Sequence, residues 1–500
     1  MQSRPVDVVA AARSPIAVRD PATGRVVGEV PNDAPEVVAV RVARARAARP
    51  AWEAMGTTGR ARALRAARKS FVGVRRELVD LLGSETGKPV NDVVGEVFAV
   101  CLDIRSALRF APRALRPEPV GTRLPRGKKR IVRHVPYGVV GVIGPWNAPL
   151  TLTLGDAVHA LAAGNTVVVK PSEATPLAVR RAVEALASAL PPDVLACVTG
   201  DGQTGAALVD HVDMVAVTGS PETGRRVMER AARRLVPVLL ELGGKDPMIV
   251  LEDAPLERAV NAAVWGGFFM TGQVCMSIER IYVVDAIADE FVRRLVDRVR
   301  LLRVGPNTAE VELGPLTTPR QVEIVAAQVE EAVRDGATAL VGGHRLPELG
   351  EQFYAPTVLV DVRPTMRVMN DETFGPVVAV QRVRDAEEAI ALANATPFGL
   401  NASVWTTDLA RGRAVAERIE AGSACVNDCI LNAGDADLPF GGVKQSGVGS
   451  RHGGVDGVRV FTRPQALRID RGRHRKDAPW FPYRRKPIEW ALRVMGWLWG

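Results

Sequence analysis

Short apolar runs that alternate with helical segments constrain the fold of this chain more than any other feature. Apolar residues dominate each run, and segments with helical periodicity separate the runs, at 150–163 and 176–190 among others. Strands that are apolar throughout are typical of a parallel sheet with helices on both faces. The runs lie at 138–143, 166–169, 194–198, 214–217 and 236–240.

Polar residues follow most of these runs directly. Ligands of a parallel α/β sheet bind at the carboxyl ends of its strands, so the residues at these ends are candidates for a functional site. They are Trp146 and Asn147 after the first run, Lys170, Ser172 and Glu173 after the second, Gly219 and Ser220 after the fourth, and Glu241 after the fifth.

The rest of the chain falls into recognisable segments. Residues 1–35 contain a turn signal at 20–24 between two short strands, and 36–116 have helical periodicity. Residues 118–136 combine turn residues with a strand-like run, which predicts a hairpin. The α/β alternation resumes over 246–460 and predicts a second domain.

Composition excludes several classes of protein. A chain of 500 residues exceeds one compact domain and predicts two or three. The net charge is +9, but only nine of the 65 basic residues are lysine, and the arginines are scattered over predicted helices. We interpret them as solvated helix faces and expect no nucleic-acid partner, since neither zinc-finger spacing nor an aromatic RNA-binding motif occurs.

Cysteine and histidine usage points to a reducing compartment and to no metal site. The five cysteines are odd in number and form no compact framework, and the six histidines form no ligand cluster. No signal-peptide layout and no run of about eighteen apolar residues occurs. A cytoplasmic location is therefore expected.

Three residues combine into a constellation for thiol chemistry. Cys275 lies in the segment Gly-Gln-Val-Cys-Met-Ser at 272–277, and a thiolate is a strong nucleophile. Glu241 precedes Leu-Gly-Gly-Lys and is a candidate general base. Asn147 follows Gly-Pro-Trp and can donate its amide N–H to a developing oxyanion.

Each of these residues also has a structural alternative. Glu241 could form a salt bridge with Lys245, and Asn147 could cap the helix that starts near Leu150. A lone cysteine is usually a small buried hydrophobe, which is our interpretation of Cys101 and Cys197. Cys425 and Cys429 are predicted to be core or loop thiols.

These segments together resemble the aldehyde dehydrogenase superfamily, over residues 20–460 approximately. The resemblance implies that Cys275 attacks an aldehyde, that Asn147 holds the oxyanion, and that hydride passes to NAD. It also implies that Glu241 activates the water that hydrolyses the thioester on Cys275. The acylating branch of the family generally lacks this glutamate, so hydrolysis is favoured over transfer to coenzyme A.

A nucleotide site is predicted on the same strand ends. Residues 219–224, Gly-Ser-Pro-Glu-Thr-Gly, open a helix whose N–H groups can meet a pyrophosphate. Glu173 can accept hydrogen bonds from a ribose and would repel a 2′-phosphate, which favours NAD over NADP. Glu372 and Phe374 resemble the family's clamp on the nicotinamide ribose. The full predicted set is Ile143, Pro145, Trp146, Lys170, Ser172, Glu173, Gly202, Gly219, Ser220, Gly224, Leu242, Gly243, Glu372 and Phe374.

The resemblance implies an α/β fold with a Rossmann-like cofactor domain, an α/β catalytic domain and a bridging β-hairpin that oligomerises the chain as a homodimer or homotetramer. The predicted boundaries are 1–117 and 137–243 for the NAD-binding domain, 244–458 for the catalytic domain, 118–136 and 459–470 for the oligomerisation element, and 471–500 for a basic, Trp-rich tail.

Two features bear on the substrate. The family often has a bulky aromatic residue eight positions beyond the motif's Asn, where this chain has Gly155, so a widened pocket is expected. The loop 427–440 carries Asp428, Asp435 and Asp437, which disfavour an anionic aldehyde. A bulky apolar or aromatic aldehyde is therefore predicted. Succinate semialdehyde remains the alternative, because 275–282 and 449–453 are similar to sequences of succinate-semialdehyde dehydrogenases.

The tail and two other functions leave alternatives open. Residues 484–500 place Trp490, Val494, Trp497 and Leu498 on one helical face, which suits either an interfacial membrane helix or packing across a subunit interface. An acyl-reducing enzyme would use the cysteine without Glu241, and a non-catalytic protein on the same fold would need none of the three residues.

Overall fold

The computed structural model describes residues 13–121, 128–308, 310–470, 480–481 and 485–499. Two compact units are distinguished in it. One comprises Met1–Leu115 and Val135–Arg463, and the other comprises Arg116–His134 and Pro464–Gly500.

A small hairpin and four helices begin the first unit. Strands β1 and β2 pair antiparallel across the predicted turn, in which Asp20 accepts hydrogen bonds from Ala22 and Thr23. The helices are amphipathic, and α4 carries the broadest buried face. The elements are β1 (Ile16–Arg19), β2 (Val26–Val30), α1 (Pro35–Ala54), α2 (Gly56–Gly73), α3 (Arg75–Thr86) and α4 (Val90–Ala114).

A three-stranded sheet belongs mainly to the second unit. Its order is β20-β4-β3, and β3 pairs antiparallel with β4. The predicted hairpin is therefore present, although most of its turn, 122–127, lies outside the described residues. The strands are β3 (Glu118–Pro119), β4 (Lys128–Pro136) and β20 (Thr462–Asp470).

A six-stranded sheet is built from the apolar runs. Its order is β18-β9-β8-β5-β6-β7; β5 to β9 are parallel, and β18 is antiparallel to β9. Every residue of β6 and β8 is buried, as their uninterrupted apolar sequences predict. The strands and their helices are β5 (Val139–Ile143), α5 (Pro149–Ala163), β6 (Thr166–Lys170), α6 (Leu177–Ala187), β7 (Leu195–Cys197), α7 (Gly202–His211), β8 (Met214–Thr218), α8 (Pro221–Ala232) and β9 (Val238–Glu241).

A seven-stranded sheet follows, in the order β12-β13-β14-β11-β10-β15-β16, and only its edge strand β12 is antiparallel to its neighbour. Its elements are β10 (Asp246–Val250), α9 (Leu256–Phe268), β11 (Ile278–Val284), α10 (Asp285–Val299), α11 (Pro319–Arg334), β12 (Thr338–Val341), β13 (Thr357–Val360), α12 (Arg367–Asn370), β14 (Val377–Val383), α13 (Ala386–Asn394), β15 (Ser403–Trp405), α14 (Leu409–Ala416) and β16 (Cys425–Val426).

Short elements complete the chain. They are β17 (Pro439–Phe440), β18 (Gly447–Val448), β19 (Arg451–His452), α15 (Val455–Arg459) and, in the second unit, α16 (Arg485–Trp499). Within the part of the chain that the structure describes, no helix combines the length and the hydrophobicity that crossing a bilayer requires.

The predicted α/β class is confirmed. Both large sheets are mostly parallel and have helices between their strands. The change from one sheet to the other falls in the four residues between β9 and β10, close to the predicted boundary at 243/244. The assignment of separate nucleotide-binding and catalytic domains stays a prediction.

Candidate active site

The loop that carries Cys275 has an unusual backbone. Met270 and Thr271 have left-handed φ angles of 51° and 60°, and Gly272 follows with 71°. Side chains hold this turn in place. The Thr271 hydroxyl donates to the carbonyl oxygen of Gly314 and accepts from the N–H of Gly314, and the Gln273 amide oxygen accepts from the N–H of Thr317 at 2.9 Å. Strained backbone that is fixed in this way is common at functional sites. It aims a half-buried Cys275 into a cavity.

The two glycines after Glu241 leave room for this loop. A Cβ on Gly244 would overlap the carbonyl oxygen of Cys275, and a Cβ on Gly243 would lie 2.6 Å from a carboxyl oxygen of Glu372. Both distances are shorter than a side chain tolerates. The Glu-Leu-Gly-Gly segment therefore brings the backbone at the end of β9 against the loop that carries Cys275.

Glu241 lies at the end of β9 and is almost fully buried. Its pKa is raised to about 8, mainly by burial and also by Asp156, while the Arg451 guanidinium acts in the opposite direction. Its Oε1 has no hydrogen-bond partner among the described residues. Lys245 pairs with Glu279 instead, so the alternative of a Glu241–Lys245 salt bridge is wrong.

Asn147 does not cap the helix that follows it. The N–H groups of Leu150 and Thr151 donate to the Glu96 carboxylate, at 3.1 and 3.4 Å. The Asn147 side chain instead donates to the carbonyl oxygen of Gln273 at 2.9 Å, two residues before Cys275. An amide NH₂ has two hydrogens, so one N–H remains available to a ligand.

The surroundings of Cys275 disfavour the thiolate form of its side chain. Burial raises its pKa well above the ordinary value, and the carboxylates of Glu241, Asp246 and Glu372 raise it further, whereas Arg451 lowers it. A nucleophilic Cys275 therefore needs a base that takes its proton or a cation that offsets these carboxylates.

A cavity of about 1260 Å³ joins the cysteine to the strand ends of the six-stranded sheet. Cys275 and Asn147 line it, together with thirteen of the fourteen residues predicted to bind a nucleotide. The thirteen are Ile143, Pro145, Trp146, Lys170, Ser172, Glu173, Gly202, Gly219, Ser220, Leu242, Gly243, Glu372 and Phe374.

Gly224 is the predicted residue that does not line the cavity. A Cβ there would come within 2.7 Å of the Leu242 methyl groups, so this glycine allows α8 to pack closely on the strand end. The start of α8 itself faces the cavity, with Ser220 as N-cap: its hydroxyl accepts from the N–H of Thr223 at 3.2 Å. Such a terminus suits a phosphate group.

A buried ion pair fixes the wall of the cavity that contains Glu372 and Phe374. Lys245 pairs with Glu279, and Glu279 accepts from the N–H groups of Thr373 and Phe374, both at 2.8 Å. Phe374 has a left-handed φ of 54°, and its ring meets Trp146 edge-on at 5.3 Å. Glu372 accepts from the N–H of Gly244 at 3.0 Å. Its carboxyl group is buried, which raises its pKa to about 8.

The prediction that Gly155 widens a pocket needs correction. A Cβ at Gly155 would lie 3.0 Å from a carboxyl oxygen of Asp103, which reaches this space from α4. Asp103 is buried, and burial raises its pKa to about 8. The space that a missing aromatic ring would leave is therefore filled by a carboxyl group.

Two groups of residues at the site were not predicted from the sequence. Four arginines line the cavity, namely Arg225, Arg226 and Arg230 of α8 and Arg233 directly after it. A second group, Asp103, Asp156, His159, Arg451 and His452, is buried close to Glu241. The helical spacing of the first group was visible, but the second joins α4, α5 and β19, and no local pattern connects them.

Comparisons with known proteins identify the family of this chain. The model of the aldehyde dehydrogenase family matches residues 8–467. The 4,4'-diapolycopene aldehyde oxidase of Methylomonas sp. is 40% identical over 474 residues, 94% of this chain and 88% of that protein. A putative succinate-semialdehyde dehydrogenase [NADP(+)] of Mycolicibacterium smegmatis is also 40% identical, over 94% of this chain and 89% of that protein.

A solved structure extends the comparison to three dimensions. The putative aldehyde dehydrogenase PutA from Anabaena variabilis is 38% identical, with a TM-score of 0.90 over 94% of this chain and all of that one. Matches of this extent in sequence and fold establish the relationship: the chain belongs to the aldehyde dehydrogenase family of NAD(P)-dependent oxidoreductases.

Proposed function

We propose that this enzyme oxidises a bulky apolar or aromatic aldehyde to its carboxylic acid, with Cys275 as nucleophile, Asn147 as oxyanion donor and Glu241 as general base. The observation that carries the proposal is the convergence of Cys275 and Asn147 on one cavity. Glu241 is not among the residues that line this cavity, but its buried carboxylate is close enough to raise the pKa of the Cys275 thiol.

The chain's own residues suit each step of that reaction. The Cys275 thiolate adds to the carbonyl carbon, and the oxyanion accepts hydrogen bonds from the Asn147 side chain and the Cys275 backbone N–H. Loss of a hydride from the adduct carbon leaves a thioester on Cys275. Glu241 takes a proton from water as the water attacks this thioester, and the acid leaves while Cys275 is regenerated. NAD(P)⁺ supplies the hydride acceptor when bound.

The cavity residues fit such a nucleotide. The N-terminus of α8 suits a pyrophosphate, Lys170 and Glu173 lie at the end of β6, and Glu372 and Phe374 lie on the wall nearest Cys275. Lys170 donates to Glu173 at 3.0 Å, so both side chains of the proposed ribose site are already oriented.

The first test is NADH formation across an aldehyde panel, with Cys275→Ala as the control. We expect activity in the wild type and its loss in the variant. Wild-type inactivity on every aldehyde with both NAD and NADP would reject the proposal in favour of an acyl-reducing or non-catalytic protein.

NAD is the proposed preferred cofactor, since Glu173 would repel a 2′-phosphate. Two observations oppose a strict preference: four arginines in and directly after α8 line the same cavity, and the mycobacterial relative is named for NADP(+). We therefore expect both cofactors to work and NAD to give the higher kcat/KM.

Charge supports the apolar substrate. The loop 427–440 carries three aspartates, so an anionic aldehyde meets like charge there. The Methylomonas relative is named for the aldehyde of 4,4'-diapolycopene, whereas the mycobacterial relative is named for succinate semialdehyde. A higher kcat/KM on succinate semialdehyde than on benzaldehyde or decanal would reject this choice.

The three-stranded sheet is proposed to join subunits into a homodimer or homotetramer. Most side chains of β20 are exposed along its whole length, an arrangement that a single chain rarely leaves uncovered. Light scattering of the purified enzyme tests this proposal, and a monomer at micromolar concentration would reject it.

We propose that the enzyme is cytoplasmic and that its tail, residues 471–500, contacts a lipid surface. The side chains of 488–499 are exposed except Val494, and Trp490, Trp497 and Trp499 are among them. Residues 471–500 carry eight Lys and Arg against two acidic residues, so two tails would repel one another and an anionic bilayer would attract each. Residues 468–500 also lie beyond the family match.

Co-sedimentation with anionic vesicles, compared for the full chain and for a chain that ends at Asp470, tests the tail. We expect binding by the full chain alone and weaker binding in high salt. Equal behaviour of the two chains would reject the proposal. If light scattering then finds the shortened chain in a smaller assembly, the tail packs between subunits instead.

A further inference from the structure

Arg451 occupies an unexpected position for a cation. It lies on β19, only 4% of its side chain is exposed, and its Nη2 donates to the Thr218 hydroxyl at 2.8 Å. The same nitrogen lies 3.3 Å from Asp156, which α5 contributes. A buried arginine with two partners from different elements is held in one orientation.

The partners of Arg451 connect it to the catalytic strand. Thr218 is the register neighbour of Glu241 across β8 and β9, and Gly447, four residues before Arg451, is the neighbour of Glu241 on the other side. The chain from β18 to β19 therefore runs from the edge of β9 to the guanidinium. Nε of Arg451 and Oε1 of Glu241 are both buried, and neither has a hydrogen-bond partner among the described residues.

Acidic groups otherwise dominate this part of the site. Burial and nearby carboxyl groups raise the pKa of Glu241 and of Cys275, and the Arg451 guanidinium opposes both shifts. The two histidines nearby do not supply charge at neutral pH, because burial lowers the pKa of His159 and lowers that of His452 to about 3. Titratable groups from several elements surround the guanidinium: Asp103 of α4, Asp156 and His159 of α5, Glu241 of β9, His452 of β19, and the loop residue Cys275.

We propose that Arg451 is a positioning residue for the reaction: Thr218 and Asp156 hold its guanidinium where its positive charge favours the ionised forms of both Cys275 and Glu241. The proposal rests on the function proposed above for these two residues. It assigns to Asp156 a dual part, since its carboxylate orients Arg451 and also opposes the ionisation of Glu241.

The test follows the thiolate directly and needs neither aldehyde nor cofactor. The rate of Cys275 alkylation by iodoacetamide is measured against pH, with mass spectrometry of the peptide that contains Cys275. We expect Arg451→Gln to move the midpoint to higher pH by about one pH unit, as the loss of a nearby opposite charge does, and Arg451→Lys to restore most of the difference. Arg293→Gln, which alters an exposed arginine of α10, is the matched control.

A profile for Arg451→Gln that superimposes on that of the wild type would overturn the proposal. If this variant does not fold, Arg451→Lys and Thr218→Val remain informative, because Thr218→Val keeps the charge and removes only its anchor. We expect Thr218→Val to move the alkylation midpoint in the same direction by less, and an unchanged midpoint in both variants would also overturn the proposal.

Asp156→Asn supplies a change of opposite sign. Removing this carboxylate should move the pH midpoint of acid release to lower values, because Asp156 raises the pKa of Glu241. A purely structural role for the cluster would shift the midpoint of acid release in the same direction in Arg451→Gln and in Asp156→Asn, and that result contradicts the proposal. An enzyme that oxidises no aldehyde would reject the proposed function, yet the alkylation profiles would still decide the part played by Arg451.

Discussion

The two sides of Cys275 are built differently. On the nucleotide side, residues that follow strands line much of the cavity, and two glycines leave space for neighbouring groups: Gly243 for the Glu372 carboxyl and Gly244 for the backbone carbonyl of Cys275. On the side of Glu241, buried charged side chains from α4, α5 and β19 meet, including Asp156 and Arg451.

The two sides should therefore differ in the substitutions that they tolerate. A wall made of backbone is sensitive to added volume, because a methyl group has nowhere to go. A wall made of buried charges is sensitive to the loss of one partner, because the remaining charge stays unpaired in a medium of low dielectric constant. The experiments below separate these two kinds of sensitivity.

The largest effect is expected for Glu241→Gln. General bases contribute 10²- to 10⁴-fold, so turnover should fall by about that factor. The cysteine can still react, so one equivalent of NADH should form rapidly as the thioester accumulates on Cys275. Rapid-mixing absorbance measures this burst. Multiple turnovers at the wild-type rate would contradict the role of Glu241.

The same carboxyl group sets the pH dependence of the wild type. Its pKa is raised to about 8, and only the ionised form can act as a base, so turnover should rise with pH through a midpoint near 8. At pH 6 most of the enzyme would carry a protonated Glu241. A rate that is independent of pH between 6 and 9 would show that the base step does not limit turnover.

Gly244→Ala tests the backbone wall. The added methyl would overlap the Cys275 carbonyl oxygen, so the loop must shift, and a displacement of about 1 Å can cost about 10²-fold in rate. Gly95→Ala is the matched control, because a Cβ there meets no atom within 4 Å. Steady-state kinetics and thermal unfolding of both variants should separate a local shift from a loss of folding. Wild-type kinetics in Gly244→Ala would show that the wall yields.

The same distinction explains what could be predicted from the sequence. The sheets, the hairpin at 118–136 and the lining residues at the strand ends follow from apolar runs and from the polar residues that end them, because these patterns are local in the chain. Asp103, which fills the space beside Gly155, lies 52 positions earlier in the chain, and Arg451 lies 210 positions beyond Glu241. Such neighbours are brought together by packing alone, so neither the filled space nor the buried cluster was predictable.

The smallest effect is expected for Glu173→Gln, at the end of the nucleotide wall. The glutamate is half-exposed and pairs with Lys170, so its charge is partly screened by solvent and partly offset by the lysine. Its replacement should raise kcat/KM for NADP relative to NAD by less than about tenfold, roughly the effect of 1 kcal/mol. Arg226→Gln on α8 is the counterpart: it removes a cation that lines the same cavity and should lower the use of NADP more than that of NAD. If neither substitution changes the ratio, the choice between the cofactors is made by backbone contacts, and the nucleotide side would be a backbone wall along its full length.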